Sequence, residues 1–473
     1  MRGSSLSTIL RRGATVFGSS AGSASTYALS KPVDRIDAFL SHNWSVPGYL
    51  KYLALTLHFN FDFAALLSLI VLAGLGTASF LGALPTMENK FHDYPVGYLC
   101  QTICVPFFIC MMLCLRDIQY CFRDSRINTF LDVCCIDQTD ADTKRRGIEK
   151  LGAFLKISDT VVVLFTDVYL MKLWTVYELA SFLALDPTRK LAVVPVFKAV
   201  VFFLGSIALW MCFICTVPFI AVVSFWELRS ILAGLTIWVI VILLRFWARQ
   251  KKTMRRNFKL FTIKNCCCAD ENDRKVVFDN IAVLMKAMYN LPTDCSTDAA
   301  LDDFDRLIQQ DLSEKLFRTL GNLTFGYRHL ATLSLLVYCA DAADELNGLP
   351  KEGLGNLAVV LDKLWRSLFE LPITFAILEI LASWRPHWSA VRGACWTIFI
   401  SLLATATLIG YDRFLLCLHK EVDAWTIAIM VMLNVTGAVV ARFVFGHGKW
   451  CLADCIEACK SRQCESDVSP DTE

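Results

Sequence analysis

Charge is scarce in this sequence of 473 residues: 19% are Asp, Glu, Lys or Arg against 55% apolar, and the mean hydropathy is +0.49. A soluble domain carries about a quarter charged residues, so this balance excludes a chain solvated by water throughout. Net charge is also small, at +2. With no basic stripe interleaved with aromatics, nucleic acid is excluded as a partner. Histidine is rare, and its seven scattered copies support neither a metal site nor a His-based triad. Acid is missing altogether from residues 1–30, which hold three arginines and many serines. That composition fits a disordered cytosolic tail, or an organelle transit peptide; no secretory signal with a cleavage site is present.

Long apolar runs are abundant instead. A helix needs about 20 largely apolar residues to cross a hydrocarbon core near 30 Å thick. Phe63 to Leu84, Val96 to Leu115, Ala199 to Trp226, Ser230 to Trp247, Ala394 to Tyr411 and Thr426 to Phe445 meet that need. Tyr327 to Ala340 is short, and Leu364 to Trp384 carries Glu370 and Glu379. Eight spans are expected, with six as the alternative. Seven basic residues crowd Arg245 to Lys259, and positively charged loops stay in the cytosol, so this end is read as cytosolic. Counting outward places both termini and the segment Arg116 to Lys198 on the same side.

Between the second and third spans, short β-branched runs alternate with helical stretches. Thr129 to Cys135 and Thr160 to Phe165 read as buried strands, Trp174 to Leu185 as a helix, and Lys190 to Phe197 as another strand. Upstream, Arg35 to Ser41 supplies one more. Strands and helices alternating at this spacing imply βαβ units and a parallel sheet.

At these residues the chain resembles the Toll/interleukin-1 receptor (TIR) domains. DAFLSHNW, Asp37 to Trp44, looks like the family's first box; FLDVCCIDQTD, Phe130 to Asp140, resembles its second strand and following loop, and is similar to fungal heterokaryon-incompatibility domains as well. SDTVVVLFTDVYLMKLWTVYELASF, Ser158 to Phe182, matches at Trp174, Glu178 and Leu179 but has Lys172 and Thr175 where the family has Ser and Cys. VVPVF, Val193 to Phe197, looks like the fourth strand. A membrane hairpin interrupts the resemblance, and the chain enters the membrane where a fifth strand would follow.

The resemblance implies a flavodoxin-like cytosolic domain and two modes of action. In one, Glu178 stabilises or attacks the ribose carbon of NAD as nicotinamide leaves, as a carboxylate does at an oxocarbenium-like centre. NAD is then a substrate, and no cofactor is expected. Ligands of such sheets bind outside the carboxyl ends of the strands. Ser41, His42 and Trp44 fall there, with Trp44 placed to stack on a nucleotide ring and Lys144, Arg145 and Arg146 to meet phosphates. In the other mode the domain only self-associates, and Glu178 is a helix residue in an ion pair, Trp174 a core anchor and the basic run a solvated face. The basic run could also rest on anionic lipid headgroups, at around 1 kcal/mol per base.

The expected division is a disordered tail (1–30), a first TIR-like piece (31–61), a transmembrane hairpin (62–115), a second TIR-like piece (116–198), a transmembrane pair (199–247), a cytosolic basic and helical insert (248–324), a transmembrane bundle (325–446) and a Cys-rich, then acidic, tail (447–473). The insert is expected to dock on the sheet in place of the missing closing helices. Twenty cysteines in spans and cytosolic segments read as reduced thiols. Juxtamembrane Cys266, Cys267 and Cys268, with Cys451 and Cys455 past the last span, are candidates for S-palmitoylation. Glu379, an acid within a weak span, keeps a transporter or channel reading open.

Overall fold

The structure, a computed structural model, describes residues 1–88, 95–122, 127–185, 190–214, 225–268, 271–289, 292, 296–320, 325–347, 354–383 and 390–419, with short stretches at 428–429, 431–436 and 439–440. The chain forms two compact units. The first comprises Met1–Asp62, Cys110–Val200 and Gln250–Gly321, and the second Phe63–Ile109, Val201–Arg249 and Asn322–Glu473.

Eight strands are described: β1 (Arg2–Ser5), β2 (Lys31–Pro32), β3 (Ile36–Ser41), β4 (Thr86–Met87), β5 (Val96–Gly97), β6 (Asn128–Phe130), β7 (Ser158–Phe165) and β8 (Lys190–Pro195). Six of them build one sheet in the first unit, in the order β2-β1-β6-β3-β7-β8. β3, β6, β7 and β8 are mutually parallel, and taken in chain order they stand 2-1-3-4. The runs IDAFLS and SDTVVVLF are almost wholly buried, as strands covered on both faces must be. Phe39 of β3 stacks on Phe130 of β6 with ring centroids 4.4 Å apart, and Phe154 packs on Phe130 at 4.7 Å. At the entry of β3, the Asp37 carboxylate accepts the backbone N–H of Asn128 at 2.7 Å, fixing where β6 begins.

Two expectations are corrected. The sheet is mixed, because residues 1–30 are ordered: β1 pairs antiparallel with β6, Ser4 opposite Thr129 and Ser5 opposite Asn128. The helix after it, Leu6–Ala14, is capped by Ser5 and buries Leu6, Ile9 and Leu10, an i, i+3, i+4 stripe. Arg2 anchors the return with a hydrogen bond to Ser30 at 2.9 Å and a cation–π contact with Tyr27 at 4.4 Å. Second, the strand expected over Thr129 to Cys135 stops at Phe130, and Asp132–Cys135 is a helical turn. There the Asp132 carboxylate accepts the N–H of Val133 at 2.8 Å, and the Leu131 carbonyl accepts from Cys134 and Cys135.

The insert packs on this sheet layer. The stretch at Cys267 pairs with the strand-like edge at Lys172, Leu173 N donating to Cys267 O at 3.1 Å and Cys267 N to Met171 O at 2.7 Å. The helix Glu271–Tyr289 lies on Leu173–Leu185, Ser313–Leu320 packs on β8, and Phe258 stacks on Phe165 at 5.8 Å.

Among the described residues, four helices are long and apolar enough to cross a membrane: Gly48–Phe80, Leu99–Cys121, Val196–Ile214 and Ile231–Lys259. The first is one continuous helix that starts well before the expected span, since no Pro intervenes between Gly48 and Phe80. Tyr327–Ser334 and Ala340–Leu346 join through a π-helical turn, as do Leu354–Trp365 and Leu371–Ala382, so both weak spans lie in longer helices. Ala394 to Tyr411 lies in the helix Ala390–His419, and half of Thr426 to Phe445 falls outside the described residues. Glu379 is buried.

Removing the Phe39 ring leaves a cavity against Phe130. Phe39→Ala is expected to cost about 3–5 kcal/mol, read as a lower denaturation midpoint of the purified protein, whereas Phe39→Leu retains most of the stability.

Candidate functional site

The carboxyl end of β3 delivers Ser41, His42, Asn43 and Trp44 into a turn. Asn43 shapes it: its Oδ1 accepts the N–H of Ser45 and the Ser45 hydroxyl, both at 2.9 Å. Its amide donates to Val168 O at 3.4 Å, tying the turn to the loop that follows β7. Sequence pattern explains this, because Asn readily bonds its own backbone two residues on.

Ser41 is buried, and its Oγ stands between two partners brought in by the chain after β7. It donates to Glu178 Oε2 at 2.5 Å and is 2.6 Å from the Tyr169 hydroxyl. A serine has one proton, so with Glu178 as its acceptor it accepts from Tyr169. Thr175, one turn before Glu178, fixes the helix start by donating to Tyr169 O at 2.6 Å and Lys172 O at 2.9 Å. The Thr175 hydroxyl therefore locks the approach to the helix.

Trp44 is half-buried and donates from Nε1 to Asp132 Oδ2 at 2.9 Å. Its ring meets the His42 edge at 4.6 Å, and the Lys51 ammonium sits over it at 4.7 Å. Phe17 closes the group, 5.1 Å from His42 and 5.2 Å from Lys51. Lys51 is 1% exposed and its Nζ makes no hydrogen bond; neither ring nitrogen of His42 makes one. The ammonium is stabilised by ring faces and by the nearby Asp132 charge rather than by a direct acceptor.

Electrostatics follow from burial. The Glu178 carboxyl is pushed up to about 8 because burial disfavours its charge; the Ser41 hydrogen bond opposes this, and Asp132 adds to it. Burial drives His42 the other way, down to about 4, with Asp132 raising it and Lys51 lowering it. Burial likewise pushes the Tyr169 phenol up. Near neutral pH the site thus holds a protonated Glu178 and a neutral His42.

Of the residues singled out in the sequence, Ser41, His42, Trp44 and Glu178 come together here. Trp174 is half-buried and packs edge-on to Tyr177 at 5.8 Å. Arg145 and Arg146 are exposed on the helix Ala141–Glu149, where Arg146 bonds Thr143 at 3.2 Å; the Lys144 side chain lies outside the described ones. Cys266 is buried with its Sγ directed to Leu170 O at 3.4 Å, Cys267 is exposed and Cys268 half-buried, while Cys451 and Cys455 lie outside the described residues. Of the three thiols, Cys267 is therefore the accessible one. Sequence reasoning missed Phe17, Lys51, Asp132 and Tyr169. Lys51 had a signal, being a single cation in an apolar helical run; Phe17 had none, lying in a stretch read as disordered.

Among the described residues, no group of three or more His, Cys, Asp or Glu side chains converges as a metal site. The chain matches no family model, no curated protein and no solved structure.

The two perturbed groups carry opposite signs. Glu178, raised from 4.5 to about 8, holds its proton in the folded state after the unfolded chain has lost it, so it costs stability as pH rises between those values. His42, lowered from 6.5 to about 4, is neutral when the unfolded chain is protonated, so stability rises with pH across that window. Glu178→Gln is expected to gain stability relative to wild type as pH climbs from 4.5 to about 8, measured as midpoints of thermal unfolding. A pH-independent difference would refute the buried, protonated carboxyl.

Proposed function

We propose that the first unit is a TIR-like module on the cytosolic face of a multi-pass membrane protein, and that it acts in signalling by hydrolysing NAD to nicotinamide and ADP-ribose. The observation that carries this reading is the placement of Glu178 against Ser41 at the carboxyl end of the central parallel strand. The order 2-1-3-4 of its four parallel strands supports a flavodoxin-like reading, in which ligands bind where the winding reverses. β3 and β7 flank that point, and Ser41, the last residue of β3, meets Glu178 there, with His42 and Trp44 following in the turn.

Chemically, the bond from ribose to nicotinamide breaks with its electron pair leaving on the nicotinamide ring. Positive charge develops at the ribose carbon, and a carboxylate beside it lowers the barrier. Water then adds, and its proton is released. Ser41 holds one carboxylate oxygen and leaves the other for the substrate. Trp44, anchored through its indole N–H to Asp132, offers a ring face for the base. Because only the ionised carboxylate stabilises the developing cation, the rate rises with pH up to about 8.

A second reading has one observation in its favour. Ser41 is 1% exposed, and a carboxyl bonded to so buried a hydroxyl can serve as a tie between helix and sheet. In that case the module is a membrane-tethered scaffold that self-associates through its helix and loop surfaces without chemistry.

Full-length protein in detergent, incubated with NAD, is expected to release nicotinamide, and Glu178→Ala to release none. Ser41→Ala is expected to lose about tenfold to hundredfold in rate, as a misoriented catalytic group does. Folded wild-type protein that leaves NAD intact would remove the enzymatic reading in favour of the scaffold.

A further inference from the structure

Phe17 reaches the candidate site from a strap at the surface of the first unit. Along that strap Thr15, Gly18 and Ser19 are exposed, while Ala14 and Phe17 are buried. The Phe17 ring lies 6.3 Å from Trp44, 5.1 Å from His42 and 5.2 Å from the Lys51 ammonium, and so fills the place beside Trp44 that a ligand's planar ring would take.

The groups it covers are poorly suited to a core. Lys51 is 1% exposed and His42 8%, yet neither the ammonium nor either imidazole nitrogen makes a hydrogen bond. Asp132 does not supply an acceptor, because its Oδ2 is held by Trp44 Nε1 at 2.9 Å and its Oδ1 by Val133 N at 2.8 Å. Polar groups buried without partners are costly. The ammonium offers three N–H donors and the neutral imidazole one, a set that matches the oxygens of an anion.

Backbone strain accompanies the covering. Arg12, Gly13 and Ala14 follow one another at φ of +51°, +69° and +59°, and among the described residues Arg12 and Ala14 are the only non-glycine ones with positive φ. Left-handed backbone is unfavourable for a residue with a Cβ, and such strain collects at clamps and switches. The strap is tied at both ends. Arg12 N donates to Asp117 Oδ1 at 2.9 Å with Arg11 over the Tyr120 ring at 4.0 Å, and Gly22 N donates to Gln138 Oε1 at 3.3 Å. Between the ties Phe17 rests on Gly48, where an added Cβ would stand 3.2 Å from both its Cβ and its carbonyl oxygen. The middle can therefore lift while the strap stays attached.

Resting on the dinucleotide reading above, we infer that this strap is an autoinhibitory plug: Phe17 holds the place of a nucleoside diphosphate, which on displacing it stacks its base on Trp44 and sets its phosphates on Lys51 and His42.

The test uses the full-length protein in detergent micelles with ADP, which is the adenosine half of NAD and carries no bond for Glu178 to break. ADP is expected to raise the thermal-unfolding midpoint in a saturable way. Phe17→Ala should lower the half-saturating ADP concentration about tenfold, because a competent state populated about a tenth of the time weakens apparent affinity by that factor. Gly48→Ala, whose Cβ forces Phe17 outward, should act in the same direction and serves if Phe17→Ala fails to fold. Lys51→Met, which keeps the stem and removes the charge, should weaken ADP about tenfold to hundredfold and leave adenosine binding unchanged. An ADP response indifferent to both opening substitutions, a Lys51→Met loss shared equally by adenosine, or no response in wild type and opened variants alike would overturn the plug. Nicotinamide release from NAD by the same samples separates the two readings. Tighter ADP binding in Phe17→Ala without release removes the hydrolase alone, and release with ADP binding indifferent to Phe17 removes the plug alone.

Discussion

Strand β3 is hydrogen-bonded along both edges, to β6 on one side and β7 on the other, and everything else in the first unit is arranged around that double pairing. A strand so held has no freedom of register. Slipping it by one residue would turn Phe39 away from Phe130 and carry Ser41 to the opposite face. Because register is fixed at Ala38 opposite both Thr129 and Thr160, the position of Ser41, the last paired residue, opposite Val163, is fixed too. Glu178 then needs only a helix anchored at its start, which Thr175 supplies through Tyr169 O and Lys172 O. The site's geometry is the sheet's geometry extended by one turn of chain.

That dependence explains the unusual state of the groups at the site. Ser41 Oγ reaches Glu178 only because the carboxyl is drawn into a partly dry setting, and the same burial raises its affinity for a proton. His42 and Lys51 are buried a few residues further on, where the rings of Trp44 and Phe17 replace water around them. Holding polar groups without hydrogen-bond partners is unfavourable. His42 and Lys51 are held so beside Asp132, next to the point where the winding of the parallel strands reverses.

Much of this was legible in the sequence. TVVVLF and IDAFLS announce buried strands through β-branched and apolar runs, and the long apolar stretches announce helices of membrane length. Glu178 and Ser41 were found through a motif rather than a pattern, and the structure brings them into contact. Three features escaped. β1 and β2 are too short to show a period; β1 is ordered by pairing with β6, a partner over a hundred residues away, and β2 by pairing with β1. Asp132 lay within an apolar run that reads as strand, yet its side chain bonds the next backbone N–H and turns the chain. Tyr169 sits in a loop, and loop contacts depend on tertiary placement that local propensity does not encode.

Chain order places a further demand on folding. The first unit is assembled from three segments and the second from three, so the chain passes from one unit to the other at five points. β3 is made before the first apolar helix, β6 and β7 after the second, and the insert that packs on Leu173–Leu185 after the fourth. None of the site's long-range contacts, Ser41 to Glu178 above all, can form until the intervening apolar helices have found their own environment. Each such contact closes a long loop, and loop closure must be met before the contact repays it. Until then, β3 exposes two unpaired edges, the condition under which strands pair wrongly. Once β6 is in place, β1 covers the edge of that strand away from β3, and the helix after β1 buries Leu6, Ile9 and Leu10.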